Sequence, residues 1–337
     1  MRGQQPLITL CHMHFVIYGA GAIGGVIGSH LHRTGIPTTL VARGPHLDAI
    51  QESGLTVDAA DGARTYRVQG VANASEVVWH TDSVVLLCVK SHQTEVALRD
   101  LRAHAPRDTV VVSVQNGVAN EATILRVFPR TYSICVMMPA THLEPGVVVQ
   151  GSSGAPGILD IGTYPGGTDE TAAAIARDLR AASFISEARS DIMAWKYRKL
   201  VRNLGNGVDA CFEPGSGAAE LERRAQREGE TVLAAAGIDL VSDATELARR
   251  GCHIVRRSPF DGNHSSTWQS IERGSDDVEI DYLTGEITLL GRLHGVSTPV
   301  NDLVQSETAR MVRERLAAGS LSAVEALQSL GPEAIGA

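Results

Sequence analysis

The stretch Gly19-Ala20-Gly21-Ala22-Ile23-Gly24 follows directly on the apolar run Phe15-Val16-Ile17-Tyr18, and it restricts the fold more than any other feature of the chain. The run has strand character. Val26 to Arg33 reads as a helix stopped by Gly35 and Pro37, and Thr38 to Ala42 reads as a second strand. A strand, a crossover helix and a second strand make the opening unit of a parallel sheet. In that context the glycines have separate tasks. Gly19 permits the tight turn, Gly21 lets backbone N–H groups approach a pyrophosphate, and Gly24 lets helix and strand pack closely. The helix N-terminus adds partial positive charge for phosphates. Residues Gly19 to Gly24 are therefore expected to cradle a dinucleotide.

The end of the second strand bears on which dinucleotide it is. An NAD site usually places Asp or Glu there for the ribose 2′-hydroxyl, whereas this chain has Ala42-Arg43. A guanidinium fork matches a 2′-phosphate, so NADPH/NADP+ is the expected cofactor, with Arg43 as its phosphate contact. Ser83 to Val89 and Thr109 to Val114 are further apolar, β-branched runs with a helical stretch between them. Shorter β-type segments follow at Ile134 to Val136, Val147 to Val149 and Ile158 to Ile161. Strands alternating with helices predict an α/β, doubly wound Rossmann domain. Lys90 ends one apolar strand and Gln115-Asn116-Gly117 ends the next, which puts Lys90 and Asn116 at the rim of the crevice where such sheets bind ligands.

After about Ser186 the pattern becomes helical: Asp191 to Val208, Leu221 to Ala236, Asp243 to Val255, Val278 to Leu293, and a last helix from Asp302. A chain of 337 residues exceeds one ordinary core. The expected organisation is an extension over 1–13, a Rossmann domain over 14–187 and an all-helical substrate domain over 188–337, with a ligand cleft between the two domains.

The formal net charge of −8 carries no basic footprint for nucleic acid or an anionic membrane, and the longest apolar runs are too short to span a bilayer. The five cysteines (Cys11, Cys88, Cys135, Cys211 and Cys252) are odd in number and lack C-x-x-C spacing, which points to reduced thiols in a cytoplasmic protein. No metal is expected, since His and carboxylates do not cluster at ligand spacing. A helical second domain could supply a homodimer face.

Trp195, Lys199, Asn203 and Asn206 are spaced four, four and three apart and share one helix face. A partly desolvated lysine there could donate a proton. From spacing alone, a solvated face capped by tryptophan is the preferred reading. Asn263-His264-Ser265-Ser266 precedes another helix, where serine hydroxyls either cap the helix or hold a carboxylate. Glu279 reads as the opening of a helix, a favourable place for a negative charge.

Taken together, from about His14 to Glu314, these residues resemble the ketopantoate reductase (2-dehydropantoate 2-reductase) family. The resemblance rests on the glycine loop, Lys90, Gln115-Asn116-Gly117, Trp195 through Lys199-Leu200 to Asn203, Ser265-Ser266, Glu279-Ile280-Asp281-Tyr282, and Gly295-Val296, Pro299 and Asn301. It implies a helical domain of the 6-phosphogluconate-dehydrogenase type and NADPH-dependent reduction of a small 2-keto acid. It further implies Lys199 as general acid, and Glu279 as an orienting group that also touches the cofactor. Asn203 would bind substrate, Ser266 its carboxylate, and Lys90 the cofactor, with Asn116 where cofactor and substrate meet. Three departures lie in the substrate pocket. The family's second asparagine, eight residues beyond the lysine, is here Gly207, with Asn206 beside it as a replacement on the same face; Asp209 to Gly217 lacks a clear counterpart to a further family asparagine; and the loop between Ser266 and Glu279 is longer by about one residue than the family pattern. These departures set a paralogue with another 2-keto acid beside ketopantoate itself. A cofactor sensor without turnover is the alternative of another class, and retention of Lys199, Asn203 and Glu279 argues against it. More distant relatives acting on 3-hydroxy acids or opines complete the alternatives.

Overall fold

Alternation of hydrophobic side chains to both faces builds the N-terminal half. Along β1 (His14–Tyr18), Phe15 and Ile17 point into one apolar layer and Val16 into the other, all fully buried. A strand covered on both sides belongs in the middle of a parallel sheet. The computed structural model describes residues 12–142, 144–251, 253–257, 264–275 and 278–331. Most of the expected extension (1–11, with Cys11), Cys252 and Asn263 lie outside the described residues.

The remaining strands are β2 (Thr38–Val41), β3 (Leu55–Ala59), β4 (Gly62–Tyr66), β5 (Gln69–Val71), β6 (Ser83–Leu87) and β7 (Val110–Ser113), then β8 (Thr131–Met137), β9 (Ala140–Thr141), β10 (Val147–Gln150) and β11 (Ile158–Thr163). Seven form the main sheet in the order β11-β8-β7-β6-β1-β2-β5, parallel except for β11 against β8. The chain moves outward from β1 to β2 and β5, then returns to the other side of β1 with β6. The β1/β6 boundary is therefore the point where strand order reverses, and ligands of such sheets bind beyond the strand ends there. Val147 to Val149 do not extend the main sheet. They pair with β3 in a small second sheet, β4-β3-β10-β9.

The helices covering the sheet are α1 (Ala22–Arg33), α2 (Gly44–Ser53), α3 (Thr94–His104), α4 (Asn120–Leu125) and α5 (Glu170–Ala181). Gly25 of α1 faces the small sheet, where a Cβ would sit 2.8 Å from Val148 Cγ1. Ahead of β1, the His12 ring and the Met13 N–H both reach the buried Asp178 of α5 (3.1 and 3.3 Å).

The helical half comprises α6 (Ile192–Asn203), α7 (Gly205–Cys211), α8 (Ser216–Ala235), α9 (Asp243–Arg250), α10 (Ser266–Glu272), α11 (Thr284–His294), α12 (Pro299–Glu314) and α13 (Ala323–Leu330). Its own core gathers Leu200, Leu204, Val208, Leu221, Leu233, Ile287, Val304 and Met311. Several expected boundaries change. The pattern over 191–208 is two helices meeting at Leu204, whose N–H bonds back only three residues, to Val201 (3.2 Å). Glu279 opens a 3₁₀ turn, Glu279–Tyr282, ahead of α11 rather than the helix itself. The helix expected from Asp302 begins at Pro299, because proline suits a first helical position and the Glu228 carboxylate accepts from the N–H groups of Val300 and Asn301 (2.9 and 3.0 Å). A further helix, α13, follows it. Among the described residues no helix is long and apolar enough to cross a membrane.

Candidate active site

The turn after β1 and the strand end after β6 meet at the switch point. Gly19 has φ +104°, and a Cβ there would lie 2.9 Å from the backbone N of Val89. Only glycine combines that dihedral with that approach. Gly24 lies beneath the loop, with no room for a side chain between Gly19 O and Ile17. A Cβ on Gly21, by contrast, would meet no protein atom within 4 Å. Gly21 faces open space, as a backbone that receives a phosphate must. The first turn of α1 has neither an acidic residue nor a side-chain cap, so its N–H groups remain available to an anion. The loop thus fits a dinucleotide pyrophosphate.

Gly19 to Ile23 form one end of a cavity of about 740 Å³ that runs between the two halves of the chain. Arg43 lines it, exposed and extended at the start of α2. His46 braces this end: one ring nitrogen is 2.8 Å from Ala20 O, and the other accepts the Gly146 N–H at 2.9 Å. Donating through one nitrogen and accepting through the other requires the neutral ring, and burial accordingly lowers its pKa.

The other end is built on α6. Lys199 donates from Nζ to Asn116 Oδ1 at 2.7 Å and also to the carbonyl of Val136. Burial is the main reason its pKa falls, to about 8, and the nearby positive charges of Arg250 and Lys196 add to the effect. Asn116 follows β7 and Lys90 follows β6, and both line the cavity, as do Asn203, Asn206, Ser266 and Glu279. Lys90 Nζ donates to Ser270 Oγ (3.2 Å). Glu279 Oε1 accepts from both the N–H and the hydroxyl of Ser91 (2.9 Å each), so a residue of the helical half is held by the loop after β6. The two serines at α10 divide their work. Ser265 caps the helix by accepting the Trp268 N–H (3.1 Å), and the exposed Ser266 borders the cavity. The crevice therefore joins a dinucleotide cradle to a desolvated lysine hydrogen-bonded to an asparagine.

Residues 15–166 and 191–311 match the two halves of one family model, described as "Ketopantoate reductase PanE/ApbA" and "Ketopantoate reductase PanE/ApbA C terminal". The chain belongs to the ketopantoate reductase family. It is an oxidoreductase of the nicotinamide-dependent kind. It is 29% identical to the 2-dehydropantoate 2-reductase of Pyrococcus horikoshii, over 87% of this chain and 95% of that one. Identity to the enzyme of the same name from Halobacterium salinarum is 28%, over 86% and 95%. A ketopantoate reductase family structure from Ralstonia eutropha superposes with a TM-score of 0.77 at 26% identity, covering 90% of this chain and 99% of that one. D-mandelate dehydrogenase, solved with NADH and anilino(oxo)acetate, superposes with a TM-score of 0.78 at 25% identity and the same coverage.

Against the ketopantoate reductase pattern, the Gly207 departure now has a structural cause. Gly207 faces the helical core, where a Cβ would stand 2.5 Å from Val304 Cγ1 and 3.0 Å from Ile280 Cδ1. Asn206, not residue 207, lines the cavity wall, in line with its place on the Lys199 face. Trp195 overturns its expectation. It shares a helix face with Lys199 but does not line the cavity. It is 3% exposed, packed with Cys135, Met137 and Ile158, with the Arg189 guanidinium 4.4 Å above its ring.

Sequence reading missed the groups that hold these residues in place. Lys196 forms a buried ion pair with Glu121 of α4 and donates to the carbonyl of Gln115 (3.0 Å), next to Asn116. Ser91 and His46 were likewise unflagged, since each looks like ordinary loop chemistry until its partner from a distant segment is known. Arg202 and Arg250, both exposed or half-exposed by ordinary helix spacing, also line the cavity.

Proposed function

We propose that this protein reduces a small 2-keto acid with NADPH, with Lys199 as the proton donor. The observation that carries the reading is the Lys199–Asn116 contact of 2.7 Å, made within a cavity whose other end is the glycine loop. When bound, the dihydronicotinamide supplies hydride to a carbonyl carbon. The protein's part is to manage the oxygen. Lys199 carries positive charge toward the developing alkoxide and delivers the proton, and its lowered pKa brings the donor near working pH. Asn116 Oδ1 and the Val136 carbonyl each accept a hydrogen bond from the ammonium and so aim its third N–H. Asn203, Asn206 and Ser266 offer neutral polar groups to the keto acid, and Glu279, held by Ser91, offers a carboxylate to a substrate hydroxyl or the cofactor ribose. Lys90 and the loop from Gly19 to Gly24 serve the cofactor. Arg43 supports NADPH over NADH through its fork.

The names of the relatives make 2-dehydropantoate, reduced to pantoate in a cytoplasmic pathway to pantothenate, the reference substrate. A different 2-keto acid is the second reading, favoured by Gly207 and by the D-mandelate dehydrogenase likeness. The test is NADPH oxidation with 2-dehydropantoate, with NADH as control, in the wild type, Lys199→Ala and Arg43→Ala. Turnover is expected to fall by roughly 10²–10⁴-fold in Lys199→Ala while NADPH still binds. Arg43→Ala should erode the preference for NADPH. Near-normal turnover in Lys199→Ala rejects the proton-donor role, and a wild type that prefers NADH rejects the Arg43 assignment.

A further inference from the structure

The substrate end of the cavity holds more positive charge than one carboxylate can answer. Arg202 lies one helical turn beyond Lys199 on α6, Arg250 ends α9, and both line the cavity with Lys199. Both face the same carboxylate, Arg250 through hydrogen bonds and Arg202 through an ion pair. Glu246, 0% exposed, accepts from Nε and Nη2 of Arg250 through one oxygen (3.2 and 2.5 Å), and its other oxygen lies 3.3 Å from Arg202 Nη1. One carboxylate neutralises one guanidinium, so this cluster, with Lys199 beside it, keeps a net positive charge. Among the described residues that line the cavity, Glu279 is the one acidic side chain, and it is bonded to Ser91. With side chains 43% and 32% exposed, Arg202 and Arg250 stay in reach of the cavity, and together with the Lys199 ammonium they make this end attractive to an anionic ligand. The buried Glu246 is what makes this a built site: it holds Arg250 by hydrogen bonds before anything binds, and its second oxygen, buried without a hydrogen-bond partner, pairs by charge with Arg202.

A 2-keto acid brings one carboxylate, next to the carbonyl, for which the hydroxyl and amide groups around Lys199 are available. We propose that the substrate carries a second anionic group: it is a 2-keto dicarboxylate, whose remote carboxylate binds the guanidiniums of Arg202 and Arg250. This inference rests on the reductase reading above and sharpens its second branch, a 2-keto acid other than 2-dehydropantoate. A monoacid with an alkyl or hydroxyl tail would leave the Arg202 guanidinium, and the N–H groups of Arg250 that Glu246 does not use, without an anionic partner. A site built around charged partners discriminates strongly against an analogue that lacks the group.

The experiment compares kcat/KM for oxaloacetate, 2-oxoglutarate and 2-oxoadipate, each against the 2-keto monoacid of the same length and against 2-dehydropantoate, all with NADPH. The best diacid should exceed its length-matched monoacid by roughly tenfold to a hundredfold, the range of a charge-assisted hydrogen-bonded pair. Arg202→Met, and separately Arg250→Lys, which keeps the charge on Glu246 but loses the fork, should each shrink that ratio by about tenfold or more. NADPH fluorescence on binding checks that both variants are folded. Monoacids or 2-dehydropantoate reduced as well as the best diacid, or a ratio unchanged in both variants, would overturn the dicarboxylate inference and leave the reductase reading standing. Reduction of no keto acid, with NADPH bound, would overturn the reductase reading and this inference with it.

Discussion

At Lys199 two opposing demands meet on one side chain. Burial disfavours the ammonium, while Asn116 Oδ1 and the Val136 carbonyl stabilise it by accepting its hydrogens. Burial prevails, and the pKa settles at about 8. The sign of the pH dependence follows from which form works. A proton donor must be protonated, so kcat/KM should be level below about 8 and fall roughly tenfold per pH unit above it. A pH–rate profile checks this, and a profile that rises through that region would mean Lys199 acts as a base. His46 shows the opposite use of burial. Its lowered pKa keeps the ring neutral, so that it can donate to Ala20 O and accept from Gly146 N–H at once.

At the scale of elements, helix periodicity decides which side chains reach the cavity. At about 100° per residue Asn206 stays within about 20° of Lys199, while residue 207 is turned about 80° away. The structure keeps that order across the tightened turn at Leu204, with Gly207 in the core against Val304. Gly207→Ala tests that packing. Alanine gains about 1 kcal/mol of helix propensity over glycine, but its Cβ must displace a buried valine that is stiff at χ1. Overpacking of this kind costs about 1–3 kcal/mol, so the melting temperature should fall by a few degrees. A higher melting temperature would show that α12 yields easily. The sequence predicts one helix to Val208 because Leu204, Val208 and the apolar positions before them keep a helical spacing through the break, and spacing does not record a change of axis.

Across the whole molecule, the two halves are joined by polar contacts that double as site supports. Glu279 meets Ser91, Lys199 meets Asn116, Arg249 meets Asp160 (2.6 Å), and Arg257 meets Asp58 (2.8 Å). The most enclosed contact is Lys196 with Glu121, at 3% and 0% exposure. Removing one partner of such a pair strands a buried charge, so Lys196→Met should cost about 3–5 kcal/mol in denaturant unfolding. Lys196→Met with Glu121→Leu should recover most of that loss, because neither charge is then left buried without its partner. If the double variant is as unstable as the single one, the pair contributes through its hydrogen bonds to Gln115 and Ser133 rather than through charge.

The sequence by itself determined what local rules govern. The run from Phe15 to Gly24 could only be a strand, a tight turn and a helix start, because glycine spacing and apolar alternation act over a few residues. The same rules located Lys90 and Asn116 at strand ends, and Lys199 and Asn203 on one helix face. Only the tertiary structure decided which face was wet. It buried Trp195 beneath β8 and β11, packed Gly207 against Val304 and Ile280, and brought Arg202 and Arg250 together on Glu246. The physical reason is common to all three. Burial and ion pairing depend on segments tens of residues apart meeting in space, and no periodicity within one helix carries that information.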